Sequence, residues 1–435
     1  MAKAMRITKI ETAVVEANYD WTLVKVSTDA GIVGWGEAFF APGLTNVIRE
    51  FNEFLPGEDP RDVDRLCRLM RTALGAAGSS GMGFHAISGV DVALWDLVGK
   101  SANLPIYQFL GGKYRDRVRI YADCHAGEGL SSLSPMLLPR TPGWARKRGA
   151  KAEPEERWRK DLPNRAELST KYHGGQKAEA PAIRPESYAR RARQMKRQGF
   201  TALKFDIDVP SRFSLDDYNR ALTRKEIDLM SGLVGALRKA LGSDVDLAID
   251  CHWNYGVNDA IRLARACEPF DLLWLEDPIP PENTDALVRV TAATTVPIAT
   301  GENHYQRHQF RELLERNAVD ILAPDFQKVG GLLEGRRIAD MADLHYLAVA
   351  PHNISSPIGT MASVHLAAAI PNFLALEWHA ASVPFFDDLV KGRRAPLIEK
   401  GYIKLPDRPG LGIELDEQVA YKYRKQGEPF FDQPA

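Results

Sequence analysis

At 435 residues and 45% hydrophobic composition, the chain is long enough for more than one domain and can bury a large core. Its formal charge of −1 gives no general argument for nucleic acid or an anionic membrane surface, and its four cysteines are spaced for neither a disulfide framework nor a zinc site. The start MAKAMRITKI lacks the apolar core of a secretory leader and no run approaches a membrane span, so the default expectation is a soluble cytoplasmic protein without nucleic-acid or membrane partners.

Met5 to Ala17 and Trp21 to Ala38 alternate as antiparallel strands do, with Asp29-Ala30-Gly31 as a hairpin turn. Helix patterns follow over Leu44–Leu55, Asp62–Leu74 and, strongly apolar, His85–Ser101. Strands followed by helices predict a small α+β unit over residues 1–117. From Val118 the pattern becomes strand, helix, strand. The strand runs are VRIYADCH, TALKFDID, DVDLAIDCH, FDLLWLED, VPIATGEN, AVDILAPDF, YLAVAPHN and NFLALEWH. Eight strands alternating with helices predict a (β/α) barrel over residues 118–397.

Two stretches break this rhythm. Residues 129–183 are polar and rich in Pro, Arg and Lys, as a lid, an oligomer contact or a disordered loop would be. Their basic runs WARKRGAK and RWRK read first as a solvated loop and second as an attraction for an anionic substrate or nucleic acid. The tail, residues 398–435, contains the turn Pro409-Gly410-Leu411-Gly412 and is expected to return to the small domain.

Asp250, Glu276 and Glu302 each end an apolar run, and each stands 26 residues from the next. That interval suits a strand, a helix and two short loops. The carboxyl ends of barrel strands open on the face where such barrels keep their chemistry. Oxygen donors without Cys or His at ligand spacing indicate a hard cation such as Mg²⁺. Taken singly, each acid also reads as a helix N-cap. The period continues through Asp325, His352 and Glu377, at intervals of 23, 27 and 25 residues.

Strand alternation turns Asp250 and His252 to one side and Cys251 away. His252 then sits nearer the mouth, as a proton donor or acceptor beside the metal or as a hydrogen-bonded packing residue. Asp325 and His352, on adjacent strands, fall within hydrogen-bond reach, and a carboxylate that orients an imidazole makes it a better base. Glu377 completes a ring of polar groups. His85, His345 and His365 fall in helix patterns and His173 in the insertion. His125, His304, His308 and His379 line the mouth or face water. Gly330-Gly331 reads as a turn ahead of a phosphate loop.

On these residues the chain resembles the enolase superfamily, in its mandelate-racemase-like subgroup, over nearly the whole length except 129–183. Ala86 to Lys100, AISGVDVALWDLVGK, is similar to the signature helix of the subgroup's capping domain. The resemblance implies a modified TIM-type (β/α)7β barrel with an N-terminal α+β capping domain that the tail completes. It also implies Mg²⁺ on Asp250, Glu276 and Glu302, an Asp325–His352 dyad, Glu377 as the acid of the eighth strand, and a homo-oligomer of two to eight copies. One position departs from the pattern. Where many members carry Lys-x-Lys, this chain reads Lys204-Phe205-Asp206, so Asp206 takes a base position and one face lacks its lysine. That departure speaks against a two-base racemase.

The Asp250-x-His252 pattern resembles the acid-sugar dehydratases, the galactonate group ahead of the mannonate group. The substrate implied is an acid sugar, an aldonate first. His352 would remove the C2 proton, and His252 would protonate the departing C3 hydroxyl from the opposite side, leaving a 2-keto-3-deoxy acid. Glu377 would hydrogen-bond the substrate carboxylate or the enediolate oxygen. Lys204 would supply positive charge there, or else bridge to Asp206 or a ligand acid. Specificity is expected from the loops Glu16–Trp21 and Phe39–Leu44, with Glu16, Asn18, Tyr19, Trp21 and His379 as candidate substrate contacts. An epimerase or cycloisomerase using His352 and His252 without loss of water stays open, as does a non-catalytic, ligand-binding relative.

Overall fold

The structure, a computed structural model, describes residues 5–126, 142–145, 183–209, 211–215, 221–392 and 396–431. The basic insertion expected over 129–183, with His173, lies almost wholly outside the described residues. Strands β1 (Ile7–Glu16), β2 (Asp20–Thr28) and β3 (Val33–Ala38) come first, then helices α1 (Leu44–Glu50), α2 (Val63–Leu74) and α3 (Met82–Ala102). The alternating part begins β4 (Arg117–Asp123), α4 (Pro185–Arg197), β5 (Ala202–Asp206), α5 (Arg224–Leu241), β6 (Asp246–Asp250) and α6 (Val257–Cys267). It continues with β7 (Trp274–Glu276), α7 (Thr284–Thr291), β8 (Ile298–Thr300), α8 (Gln306–Glu315) and β9 (Ile321–Leu322). Next come α9 (Leu332–Leu344), β10 (Ala348–Val349), α10 (Pro357–Ala369) and β11 (Leu376–Trp378). The tail adds β12 (Tyr402–Lys404) and α11 (Glu417–Lys422). Among the described residues, no helix is long and apolar enough to cross a membrane.

The chain divides into two compact units. One comprises the chain up to Arg119 with Glu302–Arg311 and everything from Ala323 onward; the other comprises Ile120–Gly301 and Glu312–Leu322. In the first unit β1, β2 and β3 form an antiparallel sheet, with Val14 opposite Thr22 and Val24 opposite Gly36. Helix α3 is buried from Gly83 to Gly99, on all sides rather than along one stripe. It reaches β3 through glycines. A Cβ on Gly36 would meet the Gly89 carbonyl oxygen at 2.1 Å, and one on Gly34 the Ala93 carbonyl oxygen at 2.2 Å. The tail does return to this sheet. The Glu16 N–H donates to the Tyr423 carbonyl (2.9 Å) and the Lys425 N–H to that of Val14 (2.8 Å), covering the open edge of β1.

The first unit also decides the Gly330-Gly331 reading. A Cβ on Gly331 would lie 2.0 Å from the Asp91 carboxyl, whose Oδ1 accepts the Leu332 N–H at 2.7 Å. Asp91 takes the space a phosphate would need, so the pair is a turn seated on α3.

In the second unit β4 to β9 run parallel in chain order. They are buried runs without alternation, as strands covered on both faces are. The register places Asp206 beside Asp250, and Asp250 beside Glu276. Neighbouring strands lie about 4.8 Å apart, so three carboxylates end in one row. Helix α5 starts at a capping box, in which the Thr223 side chain accepts the Glu226 N–H and Glu226 accepts the Thr223 N–H.

Candidate active site

The expected site residues form two clusters, one in each unit. In the first unit, Asp325 and His352 each lie three residues beyond a two-residue strand (β9, β10), and Glu377 is in β11. His352 Nδ1 stands 2.7 Å from Asp325 Oδ2, the hydrogen bond expected from adjacent strands. Nδ1 donates to the carboxylate, which leaves Nε2 facing Glu302 Oε2 at 2.8 Å and Glu377 Oε2 at 3.8 Å. All four side chains are buried. Burial opposes the imidazolium, but the Glu302 and Glu377 charges and the hydrogen bonds to Asp325 and Glu302 outweigh it, raising the His352 pKa to about 10. The acids are themselves held in place: Asp325 Oδ1 accepts the Gln327 N–H (2.7 Å) and Glu377 Oε2 the Asn353 N–H (3.0 Å).

His379 lies beside this group, with Nε2 3.5 Å from Glu377 Oε1 and the Tyr19 ring edge-on at 5.6 Å. Asn18 and Trp21 donate side-chain N–H groups to the main-chain carbonyls of His379 (3.0 Å) and Ile354 (3.2 Å). Glu16 ends β1, opposite Asp20. Phe39, named only within a loop from sequence, sets its ring 6.0 Å from that of His352.

In the second unit, Lys204 lies between acids: its Nζ is 2.9 Å from Asp250 Oδ2, 3.1 Å from Glu276 Oε1 and 3.6 Å from Asp123 Oδ2. Lys204 thus bridges Asp250 and Glu276. Trp274 Nε1 donates to Glu276 Oε2 (2.8 Å) and fixes its second oxygen. His252 Nδ1 is 3.2 Å from both oxygens of Asp208 and 3.8 Å from Asp250 Oδ1. His252 and Asp250 do face one cluster, but not by strand alternation. β6 ends at Asp250, and His252 and Trp253 take left-handed backbone angles, φ 41° and 53°. Burial would lower the His252 pKa, yet the charges of Asp250, Asp208 and Asp206 raise it.

Asp208, Asp123 and Asn254 were missed from sequence. Asn254 Nδ2 donates to Asp208 Oδ2 at 2.5 Å, and His125 Nδ1 lies 3.4 Å from Asp123 and 3.6 Å from Asp206. The signal for Asp208 was present: it stands two residues beyond Asp206, on the same run as Lys204.

Asp206, Asp250 and His252 each offer a donor atom, all within 4.8 Å of one another, so this group can hold a metal ion. Buried carboxylates that gather an ammonium from Lys204 are oxygen-rich donors suited to a hard divalent cation. The residues present fit such a group.

Residues 187–419 match the family described as enolase C-terminal domain-like, and residues 4–111 the N-terminal domain of mandelate racemase and muconate lactonizing enzyme. The chain is 42% identical over 428 residues to a D-xylonate dehydratase of Haloferax volcanii, covering 98% of this chain and 91% of that protein. It is 28% identical to a D-galactarolactone cycloisomerase of Agrobacterium fabrum, covering 97% and 99%. A crystal structure of a mandelate racemase/muconate lactonizing enzyme-like protein from Rubrobacter xylanophilus superposes with a TM-score of 0.86 at 40% identity, covering 99% of this chain and all of that one. The fold is the one the sequence implied, a TIM-type (β/α)7β barrel with an N-terminal α+β domain. The chain belongs to the enolase superfamily, among the mandelate racemase and muconate lactonizing enzyme proteins.

Proposed function

We propose that the protein is a Mg²⁺-dependent dehydratase of an acid sugar, an aldonate such as a pentonate, yielding a 2-keto-3-deoxy acid. The observation that carries this reading is the buried His352 held by Asp325 at 2.7 Å in a chain 42% identical to a D-xylonate dehydratase. Asp250, Glu276 and Glu302 are the metal ligands, on the strength of their match to the family's carboxylate positions. When bound, the ion supplies Lewis acidity that makes a proton next to a carboxylate easier to remove.

The protein's own groups do the rest. Asp325 fixes Nδ1–H of His352, so Nε2 is the atom that would take the C2 proton, once a cation held by Glu302 offsets the carboxylate charge that keeps the imidazole protonated. As that proton leaves, the C2–H electron pair forms the C2–C3 double bond and the C3–O bond breaks. His252, oriented by Asp208, gives its proton to the departing hydroxyl, which leaves as water; the enol then becomes the 2-keto acid. Glu377, when it carries a proton, donates it in a hydrogen bond to the substrate carboxylate, while Lys204 offsets the charge of Asp250 and Glu276 and Asp206 stays a positioning acid. Tyr19 and His379 face the substrate, with Glu16, Asn18 and Trp21 shaping the wall. The working division is residues 1–117 with the tail from about 398, and the barrel over 118–397. Four free cysteines suit a reducing cytoplasm, and assembly as a homo-oligomer follows the subgroup.

A panel of aldonates with Mg²⁺ tests this reading: a semicarbazide-reactive keto acid should form from at least one of them. His352→Asn should abolish turnover while retaining metal binding, and wild-type activity in that variant would remove His352 as the base. The cycloisomerase relative favours a second reading, lactone opening without loss of water. Incubation in D₂O with exchange at C2 and no keto acid would select it.

A further inference from the structure

Two lysines are buried among the described residues, and they are treated differently. Lys204 is committed to three carboxylates. Lys328, 3% exposed, has no carboxylate within ion-pair distance among the described residues. Its ammonium rests on an aromatic face: Nζ lies 3.8 Å from the centre of the Phe39 ring. Burying an ammonium without an acid is costly, and a ring quadrupole repays only part of that cost.

Lys328 also occupies a fixed place. Its N–H closes a turn onto the Asp325 carbonyl (2.9 Å), three residues past the acid that orients His352. Phe39, under the ammonium, lies 6.0 Å from the His352 ring and 5.2 Å from that of His85. His85 supplies no countercharge. Its Nε2 faces the Tyr305 hydroxyl at 3.1 Å, and burial with the Lys328 charge pushes its pKa down to about 3. Acids are plentiful near His352, but they serve His352 itself.

We propose that Lys328 is a substrate-anion residue: its ammonium, backed by the Phe39 ring, receives a carboxylate of the acid sugar. This rests on the acid-sugar reading and adds a residue that sequence motifs did not mark. An aldonate carries one carboxylate and an aldarate two, so the bound group is either the carboxylate beside the reacting carbon or the one at the far end.

The test uses the metal-loaded full-length enzyme as wild type, Lys328→Met and Lys328→Arg, with an aldonate, the matching aldarate and the uncharged alditol. For the methionine variant, the KM of the aldarate, and of the aldonate too where the bound group is at the reacting end, should rise about tenfold or more, the scale of a lost charge-assisted contact. Its kcat should stay within about threefold, because the lost contact is made equally before and during reaction. The arginine variant should recover most of the affinity, and alditol inhibition should be unchanged. Loss for both acids assigns the carboxylate at the reacting end; loss for the aldarate alone assigns the distal one. Unchanged KM for both acids overturns the proposal, as does equal loss for acid and alditol, which would make Lys328 a packing support for Phe39. If the wild type turns over no acid sugar, the dehydratase reading falls by itself. Calorimetric titration of the same ligands then decides Lys328: acid binding weakened by Lys328→Met retains it, and acid binding that is unaffected or absent removes it.

Discussion

Glu37, at the end of β3, is a carboxylate enclosed by protein at 2% exposure. It accepts the N–H groups of Ser356 (2.9 Å) and Gly359 (2.9 Å) and the Ser356 hydroxyl (2.5 Å), at the N-terminus of α10. An acid suits a helix N-terminus, yet burial outweighs those hydrogen bonds and, with the Asp325 charge, raises its pKa from 4.5 to about 7. The folded protein therefore keeps this proton at pH values where the unfolded chain has lost it. Stability from Glu37 is full below pH 4.5 and falls as pH rises toward about 7, by about 3 kcal/mol on the linkage relation. Glu37→Gln should remove that slope, so urea midpoints of the two proteins should diverge between pH 4.5 and 7 and run parallel above it; parallel profiles throughout would show that folding does not raise the Glu37 pKa. No sequence pattern announced Glu37, because its partners lie 319 and 322 residues away. Asp325 and His352 were legible for the opposite reason: each follows an apolar run whose period the fold sets, so position alone implied contact.

Among the elements, β3 and α3 show how much a missing Cβ decides. The run His85–Ser101 stood out as apolar, but its all-round burial depends on Gly34 and Gly36, which let the helix backbone approach the strand. Gly36→Ala should cost about 1–3 kcal/mol by overpacking. Gly232→Ala in α5, where a Cβ would meet nothing within 4 Å, should instead stabilise by about 0.5–1 kcal/mol from helix propensity. One substitution type with opposite signs at two sites can be read from paired urea midpoints; equal signs would mean that close packing is not what Gly36 provides. The strand runs were legible, but their lengths were not. AVDILAPDF and YLAVAPHN yield only two ladder residues each, in β9 and β10, because burial of apolar side chains continues past the last hydrogen-bonded pair. Helix α11 escaped because six residues are too few to show a period; its start is set by the Asp416 side chain, which accepts the Gln418 and Val419 N–H groups.

For the whole molecule, 56 basic and 57 acidic side chains nearly cancel, and that balance conceals local surpluses of buried acid. A chain that buries carboxylates must neutralise them, and in this structure Lys204 does so for Asp250 and Glu276. A divalent ion held by the folded chain and not by the unfolded one adds stability by mass action, about 2.7 kcal/mol at a hundredfold excess over its dissociation constant. Mg²⁺ should therefore raise the melting temperature of the wild type in a concentration-dependent way, and chelator should reverse it. Glu276→Ala keeps the Lys204 pair with Asp250 (2.9 Å) and so should fold, but the Mg²⁺-dependent rise should shrink or vanish. The paired scan separates two meanings of a buried acid. If Glu276→Ala lowers the melting temperature yet leaves the Mg²⁺ increment intact, Glu276 is a structural partner of Lys204 and Trp274, and the ligand set must be drawn without it.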